Sequence, residues 1–547
     1  MNKTQTFLQK NGEKIKFSLF SFGILLIFIG ILLIFIGIFM GFSWLKAFGD
    51  SYSADGDCIV CGRLISSLMI LLFTGSAVII FAMRYFNDLL NKTLDLNKLL
   101  ELGIFLIVVL YLISSQIRYL NNDEYEHLHN AWLRTEGTIP FFSINTTHTP
   151  FLEWVIAFFM QISGETTAII QTMRLFICST SCASLWLIYN ITKELFHSKT
   201  HALLAILLII SNSVWIDCSL EIRPDNIMLF FVLLSFWILI KYYKNPKGQY
   251  FFIFGLSALL AMLGKQNAAI FYLSIGLVLG CGVVFRKRLL DKKIIIPGVI
   301  IVIIFIIIEV TSSFFLINIK RHLIPRDIKF LPIEFLIRIW IFNPAILLLF
   351  IFQLFSSLKL DEKYKPFIKY IYSISFTCFV FLFLMNRPFV QEMLVMVIFM
   401  GILGSNLLLK MIRKLNRELG YILIAIIIAP AFLSISHDVL YKQFYNDIEI
   451  TKTILKISES DDLVFDTYGK AIFRHHPLDP KYLIYFPSKF SRLDEIKKTN
   501  LKFLIKDSSY YPRLPNETLE WFNQNFKQTN KNPNIFVRIG NTTHELW

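Results

Sequence analysis

Along residues 1–436, apolar runs of about the length that crosses a bilayer alternate with short polar breaks. The runs centre on 17–42, 64–83, 99–116, 167–190, 202–217, 226–243, 251–264, 268–286, 294–317, 336–356, 366–384, 391–410 and 420–436, which predicts about 13 transmembrane helices. The runs 202–217, 251–264 and 420–436 are the shortest of them. The stretch 151–163, FLEWVIAFFMQIS, is apolar but short and carries Glu153, so it predicts an interfacial helix. After residue 437 the period shortens. DDLVFDTYGKAIF, LKFLIKD and NIFVRIG predict strands, and SRLDEIKKT and NETLEWFNQNF predict amphipathic helices. The expected architecture is an α-helical polytopic membrane protein with a small α/β domain over 437–547.

Composition agrees. The chain is 55% hydrophobic and 17% charged, and its 54 Phe outnumber its 24 Gly, so bulky side chains fill the apolar runs. A soluble protein of this length does not read this way. The net charge of +15 points to Lys and Arg in cytoplasmic loops rather than to nucleic acid. With the N-terminus inside, the inner segments hold Lys10, Lys14, Lys16, Lys244, Lys247, Lys287, Arg288, Lys292, Lys293, Lys363, Lys365, Arg413, Lys414 and Arg417. One outer loop, 318–335, dissents with Lys320, Arg321, Arg326 and Lys329. An odd number of spans places the C-terminal domain outside, so that domain is expected to be extracytoplasmic. The run 17–42 is too long for a signal-peptide core and is read as a retained span. Cys178, Cys182, Cys218, Cys281 and Cys378 lie in or near apolar runs, where cysteine acts as a small hydrophobe. Cys58 and Cys61 form a C-x-x-C in a short loop, open to a disulfide, a redox pair or two idle thiols. No second such pair stands at zinc spacing, so no metal is expected.

The candidate chemistry lies in the polar breaks. Residues 121–150 carry Asp123, Glu124, Glu126, His127, His129 and His148, with Asp123-Glu124 opening a helix to about Glu136 that Gly137 ends. Carboxylates and imidazoles beside a bilayer are energetically awkward and point to chemistry. The expected topology brings this loop to the same outer face as Glu221-Ile222-Arg223-Pro224-Asp225, Lys265-Gln266 and Asn386-Arg387-Pro388-Phe389-Val390-Gln391-Glu392. Each piece also has a plain structural reading. The acids suit a helix start, and His148 before Thr149-Pro150 suits a turn. Asp225 suits an N-cap, Lys265 a snorkelling lysine, and Arg387 a lipid headgroup contact. A single site needs fewer coincidences. The carboxylate pair Asp123-Glu124, as candidate catalytic residues, can take a proton from a sugar or protein hydroxyl. Arg223, Lys265 and Arg387 can hold a phosphate anchored by a lipid tail, through forked hydrogen bonds for Arg and as a point charge for Lys. No Walker or Rossmann glycine loop accompanies them, so no soluble nucleotide is expected.

These pieces, in this order, resemble the dolichyl-phosphate-mannose protein mannosyltransferase family. Its bacterial relatives include the lipid A aminoarabinose transferase, and all are C-type membrane glycosyltransferases. The matching pieces run from Asp123-Glu124 through Gly137 to Phe141 and His148-Thr149-Pro150-Phe151. A span with Arg174, the turn Lys193-Glu194-Leu195-Phe196, Arg223-Pro224-Asp225, Gly264-Lys265-Gln266 and Asn386-Arg387-Pro388-Phe389 follow. The resemblance implies inverting transfer of a sugar, hexosyl or pentosyl, from a polyprenyl-phosphate donor to a lipid, glycan or protein acceptor at the outer face. It implies Asp123 as the catalytic carboxylate with Glu124 beside it. Arg223, Lys265 and Arg387 become candidate phosphate contacts, and His148, Asp225 and Gln266 shape the site. No metal or soluble cofactor is expected. On this reading, 99–436 is the C-type membrane domain, with 117–166 as its first outer catalytic loop. Residues 1–98 add two helices ahead of it. The C-terminal domain differs from the β-trefoil of eukaryotic protein mannosyltransferases, which argues against assuming a protein acceptor.

A second reading is a transporter or flippase of lipid-linked or envelope substrates without catalysis. It calls for inverted repeats or broken helices around a midplane path. A third assigns glycan recognition to 437–547. The Asn-x-Thr triplets at Asn145, Asn516 and Asn541 fall outside and carry sugar only in a suitable host. The richness in Ile, Lys, Asn and Phe suits a low-GC bacterial genome, and with it an inner (cytoplasmic) membrane protein working on the cell envelope.

Overall fold

The structure, a computed structural model, describes residues 96–118, 120–138, 149–285, 344–354, 365–384, 390–415, 419–429, 443–466, 469–478, 493–506, 511 and 514–540. The helices are α1 Leu96–Ile117, α2 Asn122–Thr135, α3 Phe151–Ser163, α4 Ala168–Phe196, α5 Lys199–Ile210, α6 Ser213–Leu220 and α7 Pro224–Lys244. There follow α8 Gly248–Gly264, α9 Ala268–Phe285, α10 Pro344–Leu354, α11 Lys365–Leu384, α12 Leu394–Lys414 after a 3-10 turn Val390–Met393, and α13 Leu419–Ala429. Expected spans 17–42, 64–83 and 294–317, and the Cys58/Cys61 loop, lie outside the described residues.

Among the described residues, four helices are long and apolar enough to cross a membrane: α1, α4, α7 and the stretch Gln391–Lys414. The expected single span 202–217 is instead a pair, α5 and α6, bent by 75°. The cause is local. The Asn212 side chain accepts the backbone N–H of Val214 and starts a new helix. Exposed Phe105, Trp186, Phe252, Leu273, Phe352 and Phe376 stud the helices where lipid would lie, while α12 is buried between α5, α10 and α11. The interfacial helix expected over 151–163 is α3. It buries Leu152, Glu153, Ile156, Ala157 and Met160 and exposes Phe158 and Ile162.

Two features fix the bundle lengthwise. At one end Lys241 Nζ lies 2.5 Å from Glu194, which Lys244 also pairs. Lys241 also lies 5.2 Å from the Trp237 ring. At the other end α7 begins with Pro224, whose missing N–H suits the first helical turn. There α7 and α8 approach closely. A Cβ on Gly264 would stand 3.1 Å from the Met228 backbone nitrogen, so any side chain there would press on the α7 backbone.

The C-terminal part folds as α14 Gln443–Ile457, β1 Leu463–Asp466, α15 Leu493–Lys498, β2 Leu501–Ile505, α16 Asn516–Asn525, β3 Phe526–Gln528 and β4 Ile535–Arg538. The sheet order is β1-β2-β4-β3, with β1 parallel to β2 and the other pairs antiparallel. The strand expected over DDLVFDTYGKAIF ends at Asp466. Past it, the Asp466 carboxylate accepts the N–H of Ala471 and the chain turns through Gly469 at φ +82.

Candidate functional site

Helix α2 starts with a capping box. Asn121 caps the first turn, and Glu124 returns a bond to the Asn121 N–H at 2.9 Å. Glu124 is fully buried and its two oxygens accept four donors. Oε1 takes Arg174 Nε at 2.9 Å and Ile222 N at 3.0 Å. Oε2 takes Arg174 Nη2 at 2.7 Å and Asn121 N. Arg174, buried inside α4, donates its remaining bonds to the Ser115 and Arg118 carbonyls at the end of α1. One carboxylate and one guanidinium thus tie α1, α2, α4 and the 221–223 segment together. Such a pair suits the expense of burying charge only because every acceptor is occupied.

Asp123, one residue earlier, points elsewhere. Its side chain keeps 19% of its exposure and meets Arg223 Nη2 at 2.5 Å. Arg223 also donates to Glu221 at 2.9 Å, and its Nε stands 3.6 Å from Asp225. Glu221 in turn faces Arg118 at 3.1 Å and accepts Asn121 Nδ2 at 3.2 Å. Arg118 reaches Asp217, one turn back on α6, at 2.8 Å. Burial pushes the Glu221 carboxyl up from its usual range, with Arg118 and Arg223 acting against that rise.

Asp225 extends the chain of charges. Lys265 Nζ donates to its Oδ1 at 2.7 Å. Burial works against the Lys265 ammonium, but Asp225 and Glu392 outweigh it and hold its pKa above the usual value. Thr149 Oγ1 donates to the Gly264 carbonyl at 2.5 Å, bringing the start of α3 against the α8–α9 turn. Beside Asp225 lies a small cleft with Asn267 and Glu392 at its polar edge and Met228, Phe271 and Val395 on its apolar walls.

Asp123, Glu124, Arg223, Asp225, Lys265 and Gln266 therefore gather at one end of the bundle, as the polar breaks predict. Glu392 represents the fourth segment there, while His148 and Arg387 lie outside the described residues. Sequence reasoning gave no role to Arg118, Asp217 or Glu221. It quoted Arg174 only as part of the family pattern. The usable signal was an arginine inside an apolar run, which has to find a buried partner. The acids of this cluster face guanidinium and ammonium groups. Among the described residues, no group of three or more His, Cys, Asp or Glu is placed to hold a metal ion.

Residues 147–310 match the family model described as dolichyl-phosphate-mannose-protein mannosyltransferase. The structure is similar to ArnT from Cupriavidus metallidurans bound to undecaprenyl phosphate, with a TM-score of 0.57 at 12% identity, covering 82% of this chain and 99% of that one. The apo form of that protein gives 0.57 at 13% identity, covering 80% and 97%. The Archaeoglobus fulgidus oligosaccharyltransferase complexed with Zn and sulfate gives 0.48 at 13% identity, covering 77% and 71%. No curated protein matches the chain in sequence. The chain thus has the fold of the C-type membrane glycosyltransferases, and the family resemblance read from its motifs is found again in the match over 147–310.

Proposed function

We propose that this protein transfers a sugar from a polyprenyl-phosphate donor to a lipid, glycan or protein acceptor, with Asp123 as the base and with inversion at the anomeric carbon. The observation that carries the reading is the Asp123–Arg223 contact: an accessible carboxylate against a guanidinium that belongs to a larger charged cluster. In the resting state the two neutralise each other. A donor phosphate competes for Arg223 and, as that contact is exchanged, leaves Asp123 free to accept a proton. The acceptor oxygen then attacks the anomeric carbon, its proton passes to Asp123, and the bond to the phosphate oxygen breaks with its electron pair. Arg223 and Lys265 stabilise the charge that develops on the departing phosphate, with Arg387 kept as a further candidate contact from its sequence. Glu124 has its oxygens fully engaged and holds the helix that presents Asp123.

The proposal invokes no metal or soluble cofactor; the donor phosphate is taken up by Arg223 and Lys265, which exchange their carboxylate partners for it. The loop charges support an arrangement with this site and the C-terminal unit facing outward, and the richness in Ile, Lys, Asn and Phe supports a bacterial cytoplasmic membrane. A transporter would place its polar groups along a midplane path, whereas this cluster sits at helix ends.

Asp123→Asn tests the proposal. The variant is expected to fold and to lose about 10²–10⁴-fold or more of transfer, read by mass spectrometry of envelope glycolipids and glycoproteins. Undiminished transfer by the variant removes Asp123 from the chemistry. Counterflow of substrate in proteoliposomes without product would favour the transporter.

A further inference from the structure

The C-terminal α/β unit packs onto the helix that carries Asp123. From Glu124 to Arg134, every residue of α2 is buried, although the helix is largely polar. One side is held by Glu153 of α3, which Arg134 grips at 2.8 and 2.6 Å. A second side is held by Arg174. The third is covered by the loop 469–475.

That loop touches α2 along its length. A Cβ on Gly469 would stand 3.2 Å from the Tyr125 Cβ, and Gly469 has φ +82, so glycine is required for the approach. His129 Nδ1 donates to the Ile472 carbonyl at 2.9 Å. Ile472 and Phe473 join Leu128, Trp132, Ile156 and Met173 in one buried apolar cluster. The seam closes on Glu165, in the turn between α3 and α4. Its Oε1 accepts the Trp132 indole N–H at 2.9 Å and its Oε2 accepts Arg474 Nη1 at 2.9 Å. Arg474 is itself fixed by Ser458, through Oγ at 2.7 Å and the carbonyl at 3.0 Å. Thr451 holds the loop from behind by donating to the Lys470 carbonyl at 2.8 Å.

We infer that the C-terminal unit fixes the register of the Asp123 helix, with Arg474 and Glu165 as positioning residues that act through Trp132. Trp132 stands nine residues after Asp123 on one helix, about 14 Å along the axis. A shift at the seam therefore moves the carboxylate as a rigid rod moves its tip. Misplacement of a reacting group by about 1 Å lowers a rate by about a hundredfold. The activity readout rests on the proposed glycosyl transfer; the structural readout does not.

The test uses the full chain in lipid nanodiscs, comparing Arg474→Gln, Glu165→Gln and the double variant with Lys506→Gln, which lies away from the seam. Hydrogen exchange is followed in peptides from 122–135 and from 224–244. Undecaprenyl phosphate binding and transfer from polyprenyl-phosphate sugars of host membranes are measured in parallel. Exchange in 122–135 should rise about tenfold in each single variant and no further in the double, with 224–244 unchanged. Undecaprenyl phosphate should bind as before, while kcat falls about tenfold or more at constant donor KM, with partial recovery in Arg474→Lys. Unchanged exchange in 122–135 overturns the inference. So does uniform loosening of both peptides, which marks a purely structural role. If the wild type shows no transfer at all, the proposed function fails and the exchange result still decides this inference.

Discussion

Asp123 and Glu124 are neighbours with opposite assignments, and replacing Glu124 by Gln separates them. The Glu124 carboxylate accepts two donors on each oxygen. An amide of the same shape keeps one accepting oxygen and turns an NH2 toward the other two donors. Whichever way it sits, an Arg174 N–H and a backbone N–H, of Asn121 or of Ile222, lose their acceptor. The Arg174 guanidinium also stays buried without its counter-charge. Each stranded buried donor costs about 1–3 kcal/mol, and breaking a buried ion pair from one side costs about 3–5 kcal/mol. The expected loss is therefore on the order of 3–5 kcal/mol. It should appear as lower thermal stability of the purified protein, followed by tryptophan fluorescence in detergent, together with faster proteolysis near α2. Asp123→Asn, at a partly exposed position, should stay within about 1 kcal/mol of the parent. If Glu124→Gln melts with the parent yet cannot transfer sugar, Glu124 acts in the chemistry and is not an anchor.

Gly264→Ala should force α7 and α8 apart at the Met228 backbone, destabilising by about 1–3 kcal/mol and, on the proposed function, weakening polyprenyl-phosphate binding as Lys265 shifts. An unchanged melting temperature would contradict the close approach. Acid should open the seam between α2 and the C-terminal unit. Burial pushes His129 down to about 4 and His476 down to about 3. Below the ordinary imidazole value of about 6.5 the unfolded chain takes up protons that the folded one refuses, so stability is lost as pH falls from there toward 4. For His129 the full loss is on the order of 3 kcal/mol. His127 works in the opposite sense, because Glu153, Glu126 and Asp123 overcome its burial and raise its pKa. Its contribution is present in acid and fades as pH rises. Limited proteolysis at pH 7, 5 and 4 checks the balance, with release of the C-terminal unit expected toward the acid end. Equal resistance across the series would refute it.

The hydrophobic pattern made the membrane helices legible because lipid demands long apolar runs whatever the fold. The start and end of α2 were legible too, through Asp123-Glu124 and Gly137, since caps are local. The gathering of Arg223, Asp225 and Lys265 with Asp123 followed from counting which polar breaks share a face. Partnerships within that cluster were not legible. Nothing in spacing says that Glu124 takes Arg174 while Asp123 takes Arg223, because adjacent residues on a helix diverge by about 100° and tertiary packing decides what each meets. Glu153 looked like a flaw in an apolar helix and is the anchor for Arg134. The kink at Ser211-Asn212 was hidden because both halves are apolar. The role of Arg474 lay out of reach, since its partner Glu165 is 309 positions away.

The two fixed ends of α7 have a consequence for supply. Its 21 residues run about 31 Å from the Asp123–Arg223 cluster to the lysines that grip Glu194, close to the thickness of a bilayer's oily interior, about 30 Å. On the proposed function, a glycolipid made in the leaflet beside Glu194 would lie a whole membrane away from Asp123. It would have to be turned over before use, and the pace of that turnover would cap transfer in a cell.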